Sequence, residues 1–139
     1  MNAIHLHYEV DGTDFTRAGE ASAAVKKALR QLGVKPDVIR KVAIALYEGE
    51  INMVIHAEGG DIDVSIDQSS IQMMLCDRGK GIENIDLAMK EGYSTAPDEV
   101  RSLGFGAGMG LPNMKKNTDE MRIESTIGVG TNVYMTVFL

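Results

Sequence analysis

Three polar side chains are spaced four residues apart within an otherwise apolar stretch of the sequence: Glu48, Asn52 and His56. In a helix, residues at i, i+4 and i+8 lie on the same side. A carboxylate there could take a proton from a reacting hydroxyl, and an amide oxygen is a suitable ligand for a hard cation such as Mg²⁺. A solvated helical face is the alternative, but the polar sector is narrow for one. The spacing therefore favours the wall of a polar cavity, in which His56 either acts or only lines the wall.

A second polar group follows the end of a predicted strand, in the segment Asp77-Arg78-Gly79-Lys80-Gly81-Ile82. The two glycines let the backbone turn sharply and approach a flat or charged group closely, with Asp77 presented at the strand end. Many plain surface turns have the same composition, so this segment by itself leaves both interpretations open.

The strongest signal for a ligand is a run of alternating glycines, Gly104-Phe105-Gly106-Ala107-Gly108-Met109-Gly110-Leu111, that leads into a predicted helix. Successive backbone N–H groups at a helix start bind anions such as phosphate. The run has the spacing of neither a Walker P-loop nor a Rossmann dinucleotide site. A flexible loop is the alternative, and the helix that follows argues against it. We therefore expect a phosphate-binding segment of another kind.

Hydrophobic periodicity predicts the elements that must position these segments. Predicted strands cover Ala3–Val10, Ile62–Ile66, Ile71–Leu75, Met121–Ile123 and Val133–Leu139, the last four as two hairpins. Predicted helices cover Phe15–Leu32 with Asp14 as N-cap, Pro36 to about Ala57, Asn84–Lys90 and Met109–Asn117. Helices packed on one face of a mixed, mostly antiparallel sheet form a two-layer α/β sandwich, which is the fold class predicted for a single domain over residues 1–139.

Composition excludes several classes of protein. The chain has 139 residues, of which 44% are hydrophobic and 24% charged, as is typical of one soluble globular domain. A net charge of −6 and the absence of Trp make a nucleic-acid surface unexpected. Cys76 is the single cysteine, which excludes an internal disulfide and a cysteine-rich zinc site. No stretch has the length of a membrane span and no signal peptide opens the sequence, so we expect a cytoplasmic protein without membrane attachment.

Four motifs follow one another in a recognisable order: Glu48-x3-Asn52-x3-His56, Asp77-x-Gly79-x-Gly81, Gly106-x-Gly108-x-Gly110 and Gly128-x-Gly130-Thr131. Their order resembles the four ATP-site boxes of the histidine-kinase-like ATPase superfamily, which includes gyrase, MutL and sensor histidine kinases and has the Bergerat-type ATP-binding fold. Within it, the small size and the stretch Gly92-Tyr93-Ser94-Thr95 look most like bacterial anti-sigma factor serine/threonine kinases and related switch kinases. The sequence departs from that pattern at Glu50, Met53 and Ala96.

The resemblance implies a site for ATP and Mg²⁺ with a role for each motif. Asn52 would coordinate Mg²⁺, Glu48 would be the catalytic base, and His56 would line the same wall. The adenine pocket would be formed by Asp77, Gly79, Gly81, Ile82 and Thr131. A lid over about residues 91–108 would close on the triphosphate, and contacts from it and from the helix start after it would involve Ser94, Thr95, Arg101, Gly104, Gly106, Ala107, Gly108, Met109, Gly110 and Leu111.

By the same resemblance, the protein would phosphorylate a serine on a small anti-anti-sigma-like antagonist protein, and would bind that antagonist or a sigma factor in competition. The retained Glu48 favours phosphate transfer, because nucleotide binding alone does not require a base. Two alternatives stay open: a nucleotide-dependent binding module without phosphate transfer, and a switch kinase that does not bind sigma. A sensor histidine kinase fragment is less favoured, because no phosphoacceptor helix pair is predicted before the domain. The resemblance also allows a homodimer.

Overall fold

The computed structural model describes residues 3–12, 17–56, 59–79, 81–82, 85, 89 and 110–139. These residues form five strands and three helices. In chain order the elements are β1 (Ile4–Asp11), α1 (Glu20–Gln31), α2 (Pro36–His56), β2 (Gly59–Ile66), β3 (Ser70–Asp77), α3 (Gly110–Lys116), β4 (Glu120–Thr126) and β5 (Gly130–Phe138). The helices form one layer and the strands form the other.

The sheet has the strand order β1-β2-β3-β5-β4, and every neighbouring pair in it is antiparallel. The C-terminal hairpin joins the sheet through its second strand, so β5 lies between β3 and β4. In this register Met73 pairs with Met135 and Leu75 pairs with Val133, which puts apolar side chains of the central strands on one face. The predicted two-layer sandwich is confirmed, and its described sheet is antiparallel throughout.

The hydrophobic core lies between this face of the sheet and the helices. Its largest fully buried side chains come from both layers: Leu29, Leu46, Ile62, Ile71, Met73, Met114 and Met135. Helix α2 packs directly on the sheet at Gly49, where a Cβ would collide with the side chain of Leu75. Because close-packed interiors leave little freedom, this contact fixes the backbone that carries Glu48 and Asn52.

The start of α1 differs from the sequence-based prediction. The helix begins at Glu20, so the predicted start at Phe15 is wrong. Gly19 precedes it with a φ of 100°, a left-handed conformation that interrupts helical geometry on the N-terminal side. The predicted N-cap, Asp14, lies outside the described residues.

Two further boundaries can be compared with the prediction. The helix predicted from Pro36 to about Ala57 is α2, which ends at His56, and β2 already begins at Gly59. Most of the helix predicted over 84–90 lies outside the described residues, although the N–H of Met89 donates to the carbonyl of Ile85 at 3.0 Å, as in a helical turn. Among the described helices, none has the length and apolar character needed to cross a membrane.

Candidate functional site

Glu48 and Asn52 lie one turn apart on α2, and both side chains are half-buried beside α3. The side-chain amide of Asn113 in α3 donates to Oε1 of Glu48 at 3.4 Å. At the next position of α3, the Sδ of Met114 lies 4.0 Å from the Nδ2 of Asn52. The polar side of α2 therefore faces another element of the protein.

Gly110, the first residue of α3, lies against Asn52. A Cβ at Gly110 would be 3.0 Å from the Nδ2 and 3.1 Å from the Oδ1 of Asn52. These distances are shorter than ordinary van der Waals contact, so a larger residue would displace the amide. The last glycine of the alternating run thus lets α3 begin beside the candidate Mg²⁺ ligand.

Asp77 is the last residue of β3, and two backbone groups hold its carboxylate. Its Oδ1 accepts hydrogen bonds from the N–H of Thr131 at 2.9 Å and from the N–H of Gly79 at 3.0 Å. Within the described part of the chain both donors bond to the same oxygen, which leaves Oδ2 to accept from a ligand. A carboxylate oxygen held in one direction can select a ligand that carries an amino group.

Two glycines near Asp77 allow backbone segments to approach each other more closely than a side chain would permit. Gly130 has a φ of 148°, and a Cβ on it would collide with the carbonyl oxygen of Asp77. Gly81 has a φ of 86°, and a Cβ on it would lie 2.7 Å from the carbonyl oxygen of Thr126. Neither position accepts a side chain without backbone movement. The Asp-x-Gly-x-Gly turn and the C-terminal hairpin are therefore in direct backbone-to-backbone contact.

A pair of hydroxyl groups links the same turn to the C-terminal hairpin. Ser125 and Thr131 are paired across β4 and β5, and their hydroxyl oxygens are 2.9 Å apart. Ser125 also accepts a hydrogen bond from the backbone N–H of Ile82 at 2.7 Å. The sequence motifs do not include Ser125, because only the strand register places it opposite Thr131.

The polar groups of α2 and β3 lie at the same end of the sandwich. Gly60 pairs with Asp77 in the sheet. A Cβ on Gly60 would meet the terminal methyl group of Met53, the residue that follows Asn52 on α2. A short chain of contacts therefore leads from the helix turn that carries Asn52 to the strand end that carries Asp77.

Most of the other predicted site residues lie where the structure gives no geometry to compare with the prediction. Outside the described part of the chain lie the lid over 91–108, the side chain of His56, and Ser94, Thr95, Arg101, Gly104, Gly106, Ala107, Gly108 and Met109. Leu111 is described, and its side chain packs against the hydrophobic core. A ligand contact from Leu111 would therefore involve its backbone.

Glu50 is one of the positions at which the sequence departs from the family pattern. The structure gives its side chain a role at the start of α1. Its side chain is 2% exposed and accepts hydrogen bonds from the backbone N–H groups of Ala21 at 3.1 Å and Ser22 at 3.0 Å. Helix α1 has no side-chain cap at Gly19, so the carboxylate of the neighbouring helix takes that place at the positive end of the helix dipole. The signal in the sequence was a charged residue within an otherwise apolar helix.

An open groove of about 360 Å³ runs between α1 and α2. It is lined by Gly19, Ser22, Ala23, Lys26, Ala43, Ile44, Tyr47 and Glu48. Glu48 lines this groove and also accepts a hydrogen bond from Asn113, so this residue adjoins both the groove and α3.

Comparison with known proteins identifies relatives along most of the chain. The family described as the histidine kinase-like ATPase domain matches residues 13–137. The anti-sigma F factor of Priestia megaterium is 31% identical over 122 residues, which are 83% of this chain and 80% of that protein. The anti-sigma F factor of Clostridium beijerinckii is 34% identical over 119 residues, which are 81% of this chain and 80% of that protein.

Two solved structures have a similar fold. The structure of the RsbU and RsbW domains of Rv1364c from Mycobacterium tuberculosis matches with a TM-score of 0.61 at 18% identity, covering 96% of this chain and 31% of that one. A chain of the SiaB-SiaC complex from Pseudomonas aeruginosa matches with a TM-score of 0.59 at 11% identity, covering 96% of this chain and 89% of that one. At these identities the likeness concerns the fold alone.

Proposed function

Because the chain belongs to the histidine kinase-like ATPase domain family, we propose that it is an ATP-dependent serine/threonine protein kinase of the anti-sigma type. Its substrate is a serine of a small antagonist protein, and it binds that antagonist or a sigma factor in competition. Support comes from relatives named anti-sigma F factors, which align over four-fifths of their own length.

The observation that carries the proposal is the presence of two different polar groups at one end of the sandwich. The oriented carboxylate of Asp77 suits the amino group of adenine, and the Glu48–Asn52 pair suits the phosphate end of the same nucleotide. The glycine-rich run that ends at Gly110 begins α3 beside Asn52, where backbone N–H groups can face an anion.

The donor set at this end fits a nucleotide accompanied by Mg²⁺. Mg²⁺ takes hard oxygen ligands, keeps several waters and neutralises phosphate charge when bound. We assign the amide oxygen of Asn52 as its protein ligand, because that amide lies beside the start of α3. Asp77 binds the adenine edge, and Gly81 and Gly130 let the turn after β3 and the C-terminal hairpin approach each other closely beside it.

Glu48 is assigned as the base that accepts the proton of the attacking serine hydroxyl. Among the described residues, Asn113 bonds to Oε1, which directs the carboxylate and leaves Oε2 for the hydroxyl. The serine oxygen bonds to the γ-phosphorus as its proton moves to Glu48, and the bond to the leaving ADP oxygen breaks. A serine of a protein partner can reach Glu48 through the groove between α1 and α2.

The rest of the proposal concerns residues beyond the described geometry and the setting of the protein. The lid over 91–108 closes over the triphosphate, with Arg101 as its positive charge. We further infer that the protein acts in the cytoplasm, is able to form a homodimer and does not bind nucleic acid directly.

A phosphorylation assay tests the proposal with the purified full chain, labelled ATP, Mg²⁺ and the antagonist-like proteins encoded beside it. We expect phosphoserine on one of these proteins, located by mass spectrometry. Two matched controls are the same protein with that serine replaced by alanine and the kinase carrying Glu48→Gln. Nucleotide-dependent binding of the antagonist without any phosphate transfer would replace the kinase proposal with that of a binding module.

A further inference from the structure

The open face of the sheet, opposite the helices, carries a group of side chains that the proposed kinase does not use. His7 and Glu9 on β1 lie directly opposite Asp63 and Asp61 on β2. Residues two positions apart on a strand share a face, so all four side chains project to the same side of the sheet. Their neighbours Leu6 and Tyr8 pack towards the core on the other side.

Three of these side chains bring their ligand atoms close together. One atom each from His7, Glu9 and Asp61 lies within 4.8 Å of the other two. Zinc bonds nitrogen and oxygen ligands at about 2.0–2.2 Å, so ligand atoms on one ion are about 3–4 Å apart. The three side chains are exposed or half-buried, so they can rotate to bring their ligand atoms from within 4.8 Å to the separation that one ion requires.

Asp63 holds the imidazole in the orientation that a metal ligand needs. The Nδ1 of His7 lies 2.7 Å from Oδ1 of Asp63, while its Nε2 faces Oδ1 of Asp61 at 3.5 Å. In metal sites, a ligating histidine donates its second ring N–H to a carboxylate that fixes the ring. Arg78 contacts the Oδ2 of Asp61 at 3.3 Å, so the Oδ1 of that carboxylate remains directed towards His7.

The balance of charge separates a metal site from a simple ion pair. Asp63, through its hydrogen bond, raises the pKa of His7, so a protonated imidazole is the competing explanation for the contacts. However, three carboxylates surround this imidazole, and Arg78 is the one further cation that contacts them among the described residues. Negative charge stays in excess even when His7 is protonated, and a divalent cation would compensate it.

We propose that His7, Glu9 and Asp61 bind a divalent transition-metal ion, for which Zn²⁺ is the probe, with Asp63 as the residue that positions His7. Binding displaces any proton from Nε2 of His7 and leaves the other coordination positions to water. An imidazole with two carboxylates suits Zn²⁺, whereas Mg²⁺ prefers sites built from oxygen alone. This site is separate from Asn52 and does not depend on the proposed kinase activity.

Isothermal titration calorimetry of the untagged full chain with ZnCl₂, in the absence of nucleotide, tests the site. We expect one ion per chain, and no comparable heat with MgCl₂. His7→Ala removes the nitrogen ligand and Asp63→Asn removes its orienting partner, and each is expected to weaken Zn²⁺ binding by about tenfold or more. The matched control is His5→Ala, because His5 lies on the same strand face and contacts Ser65 instead, with Nδ1 3.0 Å from the Ser65 hydroxyl oxygen.

Each possible result of the titrations either supports or overturns the proposed metal site. Zn²⁺ binding that is weakened by His7→Ala and unchanged by His5→Ala supports the site. No binding to the wild type, equal binding to wild type and His7→Ala, or an equal loss in His5→Ala overturns it. Circular dichroism confirms that each variant is folded, and Glu9→Gln replaces His7→Ala if that variant is not.

Discussion

Thr131 donates its backbone N–H to Oδ1 of Asp77 at 2.9 Å, although the two residues are 54 positions apart in the chain. The bond joins the end of β3 to the beginning of β5, and Gly79 donates to the same oxygen. The direction of the Asp77 carboxylate is therefore set by backbone groups from two separate segments. Such an arrangement holds an acceptor in place before the ligand arrives, which reduces the ordering cost of binding.

Replacing Asp77 with Asn tests this acceptor. The variant keeps an oxygen for the N–H groups of Thr131 and Gly79 but places an amide nitrogen where we assign the contact with adenine. We expect saturating Mg²⁺–ATP to stabilise the wild type, by about 2.7 kcal/mol at 100 times the Kd, and to stabilise the variant much less. Thermal unfolding with and without nucleotide measures both effects. GTP is the control ligand, and equal stabilisation of the wild type by GTP and ATP would contradict the role of Asp77.

Glu48→Gln separates nucleotide binding from phosphate transfer. Gln keeps the size of the side chain and the acceptor for Asn113, but it cannot take a proton from serine. We expect ATP affinity to persist and the rate of transfer to fall by about 100-fold or more. Asn52→Ala, one turn away, is expected instead to weaken Mg²⁺–ATP binding itself. Transfer by Glu48→Gln at the wild-type rate would show that the carboxylate is structural.

Glu50→Gln is expected to lower the free energy of unfolding by about 1–3 kcal/mol. Both carboxylate oxygens of Glu50 accept backbone N–H groups at the start of α1, and Gln leaves one buried N–H facing an amide nitrogen. Urea denaturation measures the loss. Glu20→Gln serves as the comparison, because Glu20 is an exposed acid in the first turn of the same helix. A similar loss in both variants would mean that burial of the Glu50 carboxylate contributes nothing specific.

The β2–β3 turn predicts a pH dependence of stability. Backbone N–H groups of Ser69 and Ser70, with the Ser69 hydroxyl, donate to Oδ1 of Asp67 and lower the pKa of its carboxyl below the ordinary value of 3.8. A lowered pKa contributes stability that is present above pH 3.8 and is lost as the pH falls through the folded-state pKa. We therefore expect Asp67→Asn to be less stable than the wild type at neutral pH, with a difference that shrinks in acid. Urea denaturation midpoints of both proteins at neutral pH and in acid provide the measurement. A difference in stability that does not change with pH would refute the role of the ionised Asp67 carboxylate.

The parts of the fold that sequence analysis predicts are those set by local geometry. Helical spacing alone places Glu48 and Asn52 on one side of α2, and strict alternation gives the strands of both hairpins. A capping residue at Asp14 predicts too early a start for α1, because the left-handed φ of Gly19 is a property of the folded backbone that the sequence pattern does not encode.

The roles of the site residues that the sequence motifs do not identify depend on contacts between distant segments. Ser125 meets Ile82 only once the C-terminal hairpin lies beside the turn after β3, and Asn113 meets Glu48 only once α3 lies on α2. Glu50 is read from the sequence as an irregularity, and its role becomes visible when α1 is placed against α2. No local spacing encodes these three relationships.

The position of β5 between β3 and β4 has a consequence for protein synthesis. The chain leaves the ribosome in sequence order, so Glu48, Asn52 and Asp77 emerge well before β5, the strand through which the C-terminal hairpin pairs with β3. Until β5 pairs with β3, Asp77 lacks the hydrogen bond from the Thr131 N–H and the close contact with Gly130. The orientation of the carboxylate that we assign to adenine is therefore completed only with the last strand of the described sheet.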